Sequence, residues 1–261
     1  MRATGYVRNP ERRAINKFSA HKRLLKGDVP TSASMGRFAP AIFDQGQTGS
    51  CVGHSRARGI YTARLAAGAP MPFVPSPVDL YRLARCYERD DWSSTIADGG
   101  SDPVDTIDAA ATFGVRPMGP MARDGRFSDA EPETINDMPQ FGDLELDREF
   151  RLLDDYSITE FGAERIALVC RALSANIPVC LDVAGGSSAF QSYSSGVLVG
   201  SNAPLDHYVI LLGYETNPGG TITFEGHNSW GTEWGINGTF QAAESVVLKS
   251  GDLVACVEHG L

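Results

Sequence analysis

The chain has 261 residues, 42% hydrophobic and 21% charged, with a formal net charge of −9. That length builds one large domain or two modest ones around a sizeable core. The acidic balance argues against nucleic acid or an anionic membrane as the main partner, and no apolar run approaches the ~20 residues of a transmembrane helix.

Charge is unevenly spread. Residues 1–27 hold eight Lys or Arg against Glu11, a local balance of +7 that leaves −16 on the remainder. This basic leader lacks the apolar stretch of a secretory signal, so a cytoplasmic protein is expected, or one exported by a route that reads no such signal. Its composition favours a solvated tail, with docking on the acidic body as the alternative.

From Ser50 to Ala67 a rough helical period predicts a helix, stopped by Gly68 and Pro70. A second is expected near Pro77–Glu88, and a third in "PVDTIDAAATFG", closed by Gly114. Residues 116–145, rich in Pro, Gly, Met and acids, read as a long connection. One amphipathic helix follows over Phe161–Asn176, and then come strand signals: "IPVCLDV", "HYVILLGYE", "GTITFEGHNS", "GTFQAA" and "DLVACVEH". "NPGG" (Asn217–Gly220) is a hairpin turn between two of them. Helices first and antiparallel strands second make an α+β protein of two lobes.

Five cysteines, Cys51, Cys86, Cys170, Cys180 and Cys256, are odd in number and widely scattered, which does not suggest a disulfide framework. No CxxC is present and none stands near a helical HxxxH, so no metal and no other cofactor is expected. Cys170, Cys180 and Cys256 sit in apolar contexts and read as core, Cys86 as a helix residue. Cys51 differs, because "DQGQTGSCVGHS" (Asp44–Ser55) surrounds it with small and polar residues. If Ser50–Cys51 opens a helix, the free N–H groups and the dipole there favour a thiolate.

Such a nucleophile needs a base. His54 lies one helical turn on but inside the helix, where packing is the commoner role; His21 and His259 look bland. His207 stands at the mouth of "YVILLGY", a continuous apolar run that reads as a buried strand holding it rigidly. Asn228, one hairpin later, is an amide able to fix the imidazole's orientation and tautomer. Side chains alternate along a strand, so if Asn228 faces the site, His227 faces away and reads as structural.

"QGQTGSC", "LDHYVILLGY" and "NSWGTEWGINGTF", in that order, resemble the papain-like (C1-type) cysteine peptidases over roughly residues 30–261. The resemblance implies a helical lobe and an antiparallel β-barrel-like lobe with the active-site cleft between them. The divisions expected are a basic extension at 1–29, a helical lobe at 30–135 and a β-rich lobe at 136–261. It implies Cys51 as nucleophile, His207 as general base and acid, Asn228 as the residue that orients the ring, and Gln45 with the Cys51 backbone N–H as the oxyanion hole. Gly49, Ser50, Gly99, Gly100, Asp206, Tyr208 and Trp230 are implied as substrate-binding: Trp230 shields the His–Asn bond, Gly99–Gly100 pairs with an extended peptide, and Tyr208 narrows the pocket for the second side chain before the cleaved bond. Thr48 and Val52 depart from the family pattern, standing where a disulfide cysteine and an aromatic residue are usual; the first fits a reducing compartment. The function implied is a cysteine endopeptidase acting on polypeptides through a thioester. The alternatives are an exopeptidase, deamidase or peptide ligase with the same triad, or a silent binding protein on this fold. The leader is unlike the family's helical pro-segments, yet residues 1–29 could cross the cleft as a plug.

Overall fold

The computed structural model describes residues 1–8, 16–20, 28–90, 97–118 and 153–258. Among them, α1 (Cys51–Ala66), α2 (Pro77–Arg89) and α3 (Pro103–Phe113) form the helical lobe. Local chemistry sets their ends. Ser76 and Asp102 cap α2 and α3 by accepting from the backbone N–H of Asp79 and Val104, each followed by a proline at the first helical position. Gly114, at φ 77°, closes α3.

The strands are β1 (Ser32–Ser34), β2 (Leu153–Ser157), β3 (Val179–Val183), β4 (Val197–Leu198), β5 (His207–Thr216), β6 (Ile222–His227), β7 (Thr239–Ala243) and β8 (Leu253–Glu258). They form one sheet in the order β2-β8-β3-β5-β6-β7-β4, with β1 also on β5. Three further helices are α4 (Gly162–Ser174), α5 (Ser188–Gln191) and α6 (Glu244–Lys249). The fold is α+β, but the expectation of a barrel-like lobe is corrected: the sheet stays open, with β2 and β4 at its ends. It is mixed too, since the two-residue β4 runs parallel to β7.

The first eight residues of β5 are all buried, which explains their unbroken apolar run: α1 covers the strand on one side and α4 contributes from another. Helix α1 is itself buried over most of its length between α2 and the sheet. Two arginines go in with it. Arg56 makes a bidentate pair with Asp155 of β2 (2.8 and 2.7 Å), tying the lobes together. Arg58 donates to the Pro40 and Ala41 carbonyls and lies 4.6 Å from the Phe43 ring centroid. The expected connection over 116–145 and the boundary at 135/136 lie outside the described residues, beyond Met118. Among the described residues no helix is long and apolar enough to cross a membrane.

Candidate active site

Cys51 is the first residue of α1 and fully buried. Its N-cap, Ser50, makes no side-chain capping bond; the hydroxyl pairs with Thr48 Oγ1 (2.6 Å) and His54 Nδ1 (3.2 Å). The first-turn N–H groups therefore remain free beside the thiol. The backbone of Tyr208, Gly5 and Val52 lies beside its sulfur and works to lower its pKa. Burial nevertheless dominates and pushes the thiol up to about 12.

The Tyr208 contact brings the sulfur against the residue next to His207, the first residue of β5. His207 Nε2 donates to Asn228 Oδ1 at 2.7 Å, and Asn228 directly follows β6. A ring protonated on Nε2 carries its lone pair on Nδ1, which is buried and has no hydrogen-bond partner. Burial lowers His207 to about 4, partly offset by the Asn228 bond. The Trp230 ring lies 4.6 Å from the imidazole, tilted by 30°, and Phe190 meets the same ring edge-on at 5.7 Å. His207 and Asn228 are both buried beside these rings.

Gln45 is fully buried. Its Nε2 donates to the Thr48 carbonyl (2.7 Å), leaving a second N–H, and its Oε1 accepts from Ser229 Oγ (2.6 Å). The amide is thus oriented at both ends, as a preorganised donor must be. Of the other histidines, His54 Nδ1 contacts the Ser50 carbonyl at 2.9 Å and His227 Nδ1 accepts from Arg58 at 3.0 Å. Burial lowers both to about 3, so they stay neutral in packing roles. His21 and His259 lie outside the described residues.

The leader occupies the cleft. Gly5 and Tyr6 both donate N–H to the Asp206 carbonyl (3.1 Å each), and the Gly5 carbonyl accepts from Ser101 N–H (3.0 Å). Val7 donates to the Ser101 carbonyl (3.2 Å), and Trp230 Nε1 donates to the Ala3 carbonyl (2.9 Å). The Tyr6 and Tyr208 rings stack at 5.5 Å and 13°. Arg2 reaches the Trp230 carbonyl with its guanidinium and Gln191 Oε1 with its backbone N–H. Only glycine fits at position 5, since a methyl there would overlap the Gly49 carbonyl; a methyl on Gly100 would overlap the Gly5 carbonyl. The expectation of a solvated tail is therefore corrected for residues 2–7. Main-chain bonds and aromatic surface hold them, in place of the charge attraction that composition suggests.

The substrate-binding expectations distribute unevenly. Gly49, Gly100, Asp206, Tyr208 and Trp230 all touch the leader. Ser50 serves the turn before α1, and Gly99 is exposed with open space around it. The edge that pairs with an extended segment is Ser101, one residue past the glycines. Asp98 explains this placement: its carboxylate takes the Gly49 N–H and the Tyr81 hydroxyl, and that hydroxyl takes the Gly100 N–H.

A model of the papain family cysteine protease matches residues 150–253. The senescence-specific cysteine protease SAG39 of Oryza sativa is 41% identical over 78 residues, 30% of this chain and 23% of that protein. Vignain of Ricinus communis is 42% identical over 78 residues, 30% of this chain and 22% of that protein. The match thus spans less than a quarter of these curated relatives. Xylellain, a cysteine protease from Xylella fastidiosa, superposes with a TM-score of 0.71 at 19% identity, over 98% of this chain and 97% of that one. Procathepsin L 3 of Tenebrio molitor gives 0.69 at 18% identity, over 89% and 71%. The chain resembles the papain family over residues 150–253 and shares the fold of these cysteine proteases. At this site, sequence reasoning missed Ser101, Gln191 and the fit of Gly5 between Gly49 and Gly100. No residue pattern marks them, because each acts through its main chain or through a cleft only the fold creates.

Proposed function

We propose that this chain is a cysteine endopeptidase whose own leader closes its cleft. His207 Nδ1 takes the Cys51 proton and the sulfur attacks a peptide carbonyl carbon. The tetrahedral oxyanion is met by the free Gln45 N–H and the Cys51 backbone N–H. Collapse expels the amine with the proton from His207, leaving a thioester that water, deprotonated by the same imidazole, hydrolyses.

The observation that carries this reading is the His207–Asn228 bond of 2.7 Å with Nδ1 left unpartnered, beside a sulfur packed on the main chain of the next residue. The leader blocks the site without being a substrate in this pose. Its Gly5 backbone lies beside the sulfur with the N–H given to the Asp206 carbonyl and the carbonyl taken by the Ser101 N–H.

The test uses the full chain carrying Gly5→Ala, whose methyl would overlap the Gly49 carbonyl and so displaces the leader, on a library of fluorogenic peptides. Hydrolysis at least tenfold above the unmodified chain is expected, and adding Cys51→Ala should abolish it. A Gly5→Ala chain that alkylates readily at Cys51 yet hydrolyses no peptide would remove the endopeptidase reading.

A further inference from the structure

The leader touches the body at two places with different chemistry. Residues 2–7 lie in the cleft through main-chain bonds to its walls. Residues 16–20 lie at the far end of the sheet. There the Asn16 carbonyl accepts from Ser157 N–H at 2.8 Å, and Lys17 makes a parallel bridge with Ser157, the last residue of β2. Strand β2 is an end strand of the sheet path, with β8 as its one strand neighbour. An uncovered edge is a liability that a protein covers or blunts. Phe18, in a single 3-10 turn, is fully buried and belongs to the main core cluster with Met35 and Ile158. Ser19 adds a side-chain bond to Glu160.

We infer that the leader is two devices: a plug, Arg2–Val7, that leaves the cleft by itself, and a brace, Asn16–Ala20, that is a permanent part of the β-rich lobe. It rests on the reading of residues 2–7 as a plug, and it sets what opening the cleft involves. A buried phenyl ring and a covered sheet edge are core features, and their loss opens a cavity in the body. Arg2–Val7 bury less: Tyr6 bridges Ser101 and stacks on Tyr208, but its ring is only partly buried, where Phe18 is fully buried. Their bonds end on cleft walls, and the side chains at Ala3 to Gly5 are small. The catalytic body therefore begins at the brace, well inside the basic extension.

Hydrogen exchange on the full chain tests this through two amides. Ser101 N–H is protected by the plug (Gly5 carbonyl) and Ser157 N–H by the brace (Asn16 carbonyl). In Gly5→Ala, exchange at Ser101 should rise at least tenfold while Ser157 stays within about twofold of the unmodified chain. In the otherwise unchanged chain, Phe18→Ala should lower Tm by roughly 6–15 °C, with Phe18→Leu recovering more than half of the loss. Ser157 rising together with Ser101, Ser101 staying protected, a Gly5→Ala chain that fails to fold, or an unchanged Tm in Phe18→Ala would each overturn the division. None of these readouts depends on hydrolysis. A chain that exchanges as expected but cleaves no peptide keeps the division and loses the endopeptidase reading.

Discussion

Acid should unfold this protein through its neutral histidines. His54, His207 and His227 are all buried, and burial holds them at about 3, about 4 and about 3. In the unfolded chain each takes a proton near 6.5. Below that pH the unfolded state binds more protons than the folded one, so stability falls as pH falls. Well below 6.5 the slope is about 1.4 kcal/mol per pH unit for each ring, levelling off as each folded value is reached. Between pH 7 and pH 5 each ring then contributes about 2 kcal/mol of loss, and the three together about 5–6 kcal/mol. That approaches the whole stability of many domains. Asp182, raised by burial, works in the opposite direction, but its effect enters near the carboxylate range at the lower end of this window. Urea midpoints at pH 7, 6 and 5 measure the slope, and His227→Gln should remove about one third of it. A midpoint that does not move between pH 7 and 5, with unchanged m, would refute the claim that these rings are held neutral.

Other consequences are sharper in activity or reactivity. Gln45→Ala, made in the Gly5→Ala chain, should lower kcat about 10²–10³-fold through the lost oxyanion donor; a loss below tenfold in steady-state kinetics would take Gln45 out of that role. Asp155→Ala strands the buried Arg56 guanidinium and should cost about 3–5 kcal/mol in urea unfolding, whereas Arg56→Met with Asp155→Leu should recover most of it. Equal losses in the single and double variants would contradict this. In the unmodified chain, iodoacetamide labelling of Cys51 should keep rising tenfold per pH unit up to pH 10, because the thiol is held at about 12, and Gly5→Ala should reach a plateau earlier. Coincident pH profiles would separate the leader from the thiol's protonation.

The parts legible in the sequence are those that side-chain type and spacing encode. Pro103 and Gly114 bracket α3 because their backbone preferences act locally. The run after His207 announced a buried strand because both its faces are covered. Other features need the assembled molecule. The open sheet order and the two-residue β4, parallel to β7, are set by no pattern in "GVLVG". Helix α1 hides Arg56 and Arg58, which look solvent-facing until Asp155 and the 40–41 carbonyls are brought to them from distant parts of the chain. Charge misdirected the reading of the leader, whose contacts with the cleft are made by Gly5 and its neighbours through the backbone.

Those backbone contacts also act on the chemistry. Transfer of the proton from sulfur to imidazole depends on the difference between their two pKa values. For ordinary groups at 9.0 and 6.5 that difference is already unfavourable, by 2.5. With the plug seated, burial raises the thiol to about 12 and lowers the imidazole to about 4, so both shifts disfavour the charged pair. Part of the burial on each residue comes from the body itself, from Tyr208 and Val52 around the sulfur and from Trp230 and Phe190 around the ring, and persists when the cleft opens. The part removed with Gly5 readmits water to the sulfur, which lies beside first-turn amides of α1 that favour a thiolate. On the function proposed above, closure of the cleft and suppression of the charged pair are one event, governed by whether Gly5 lies beside Cys51.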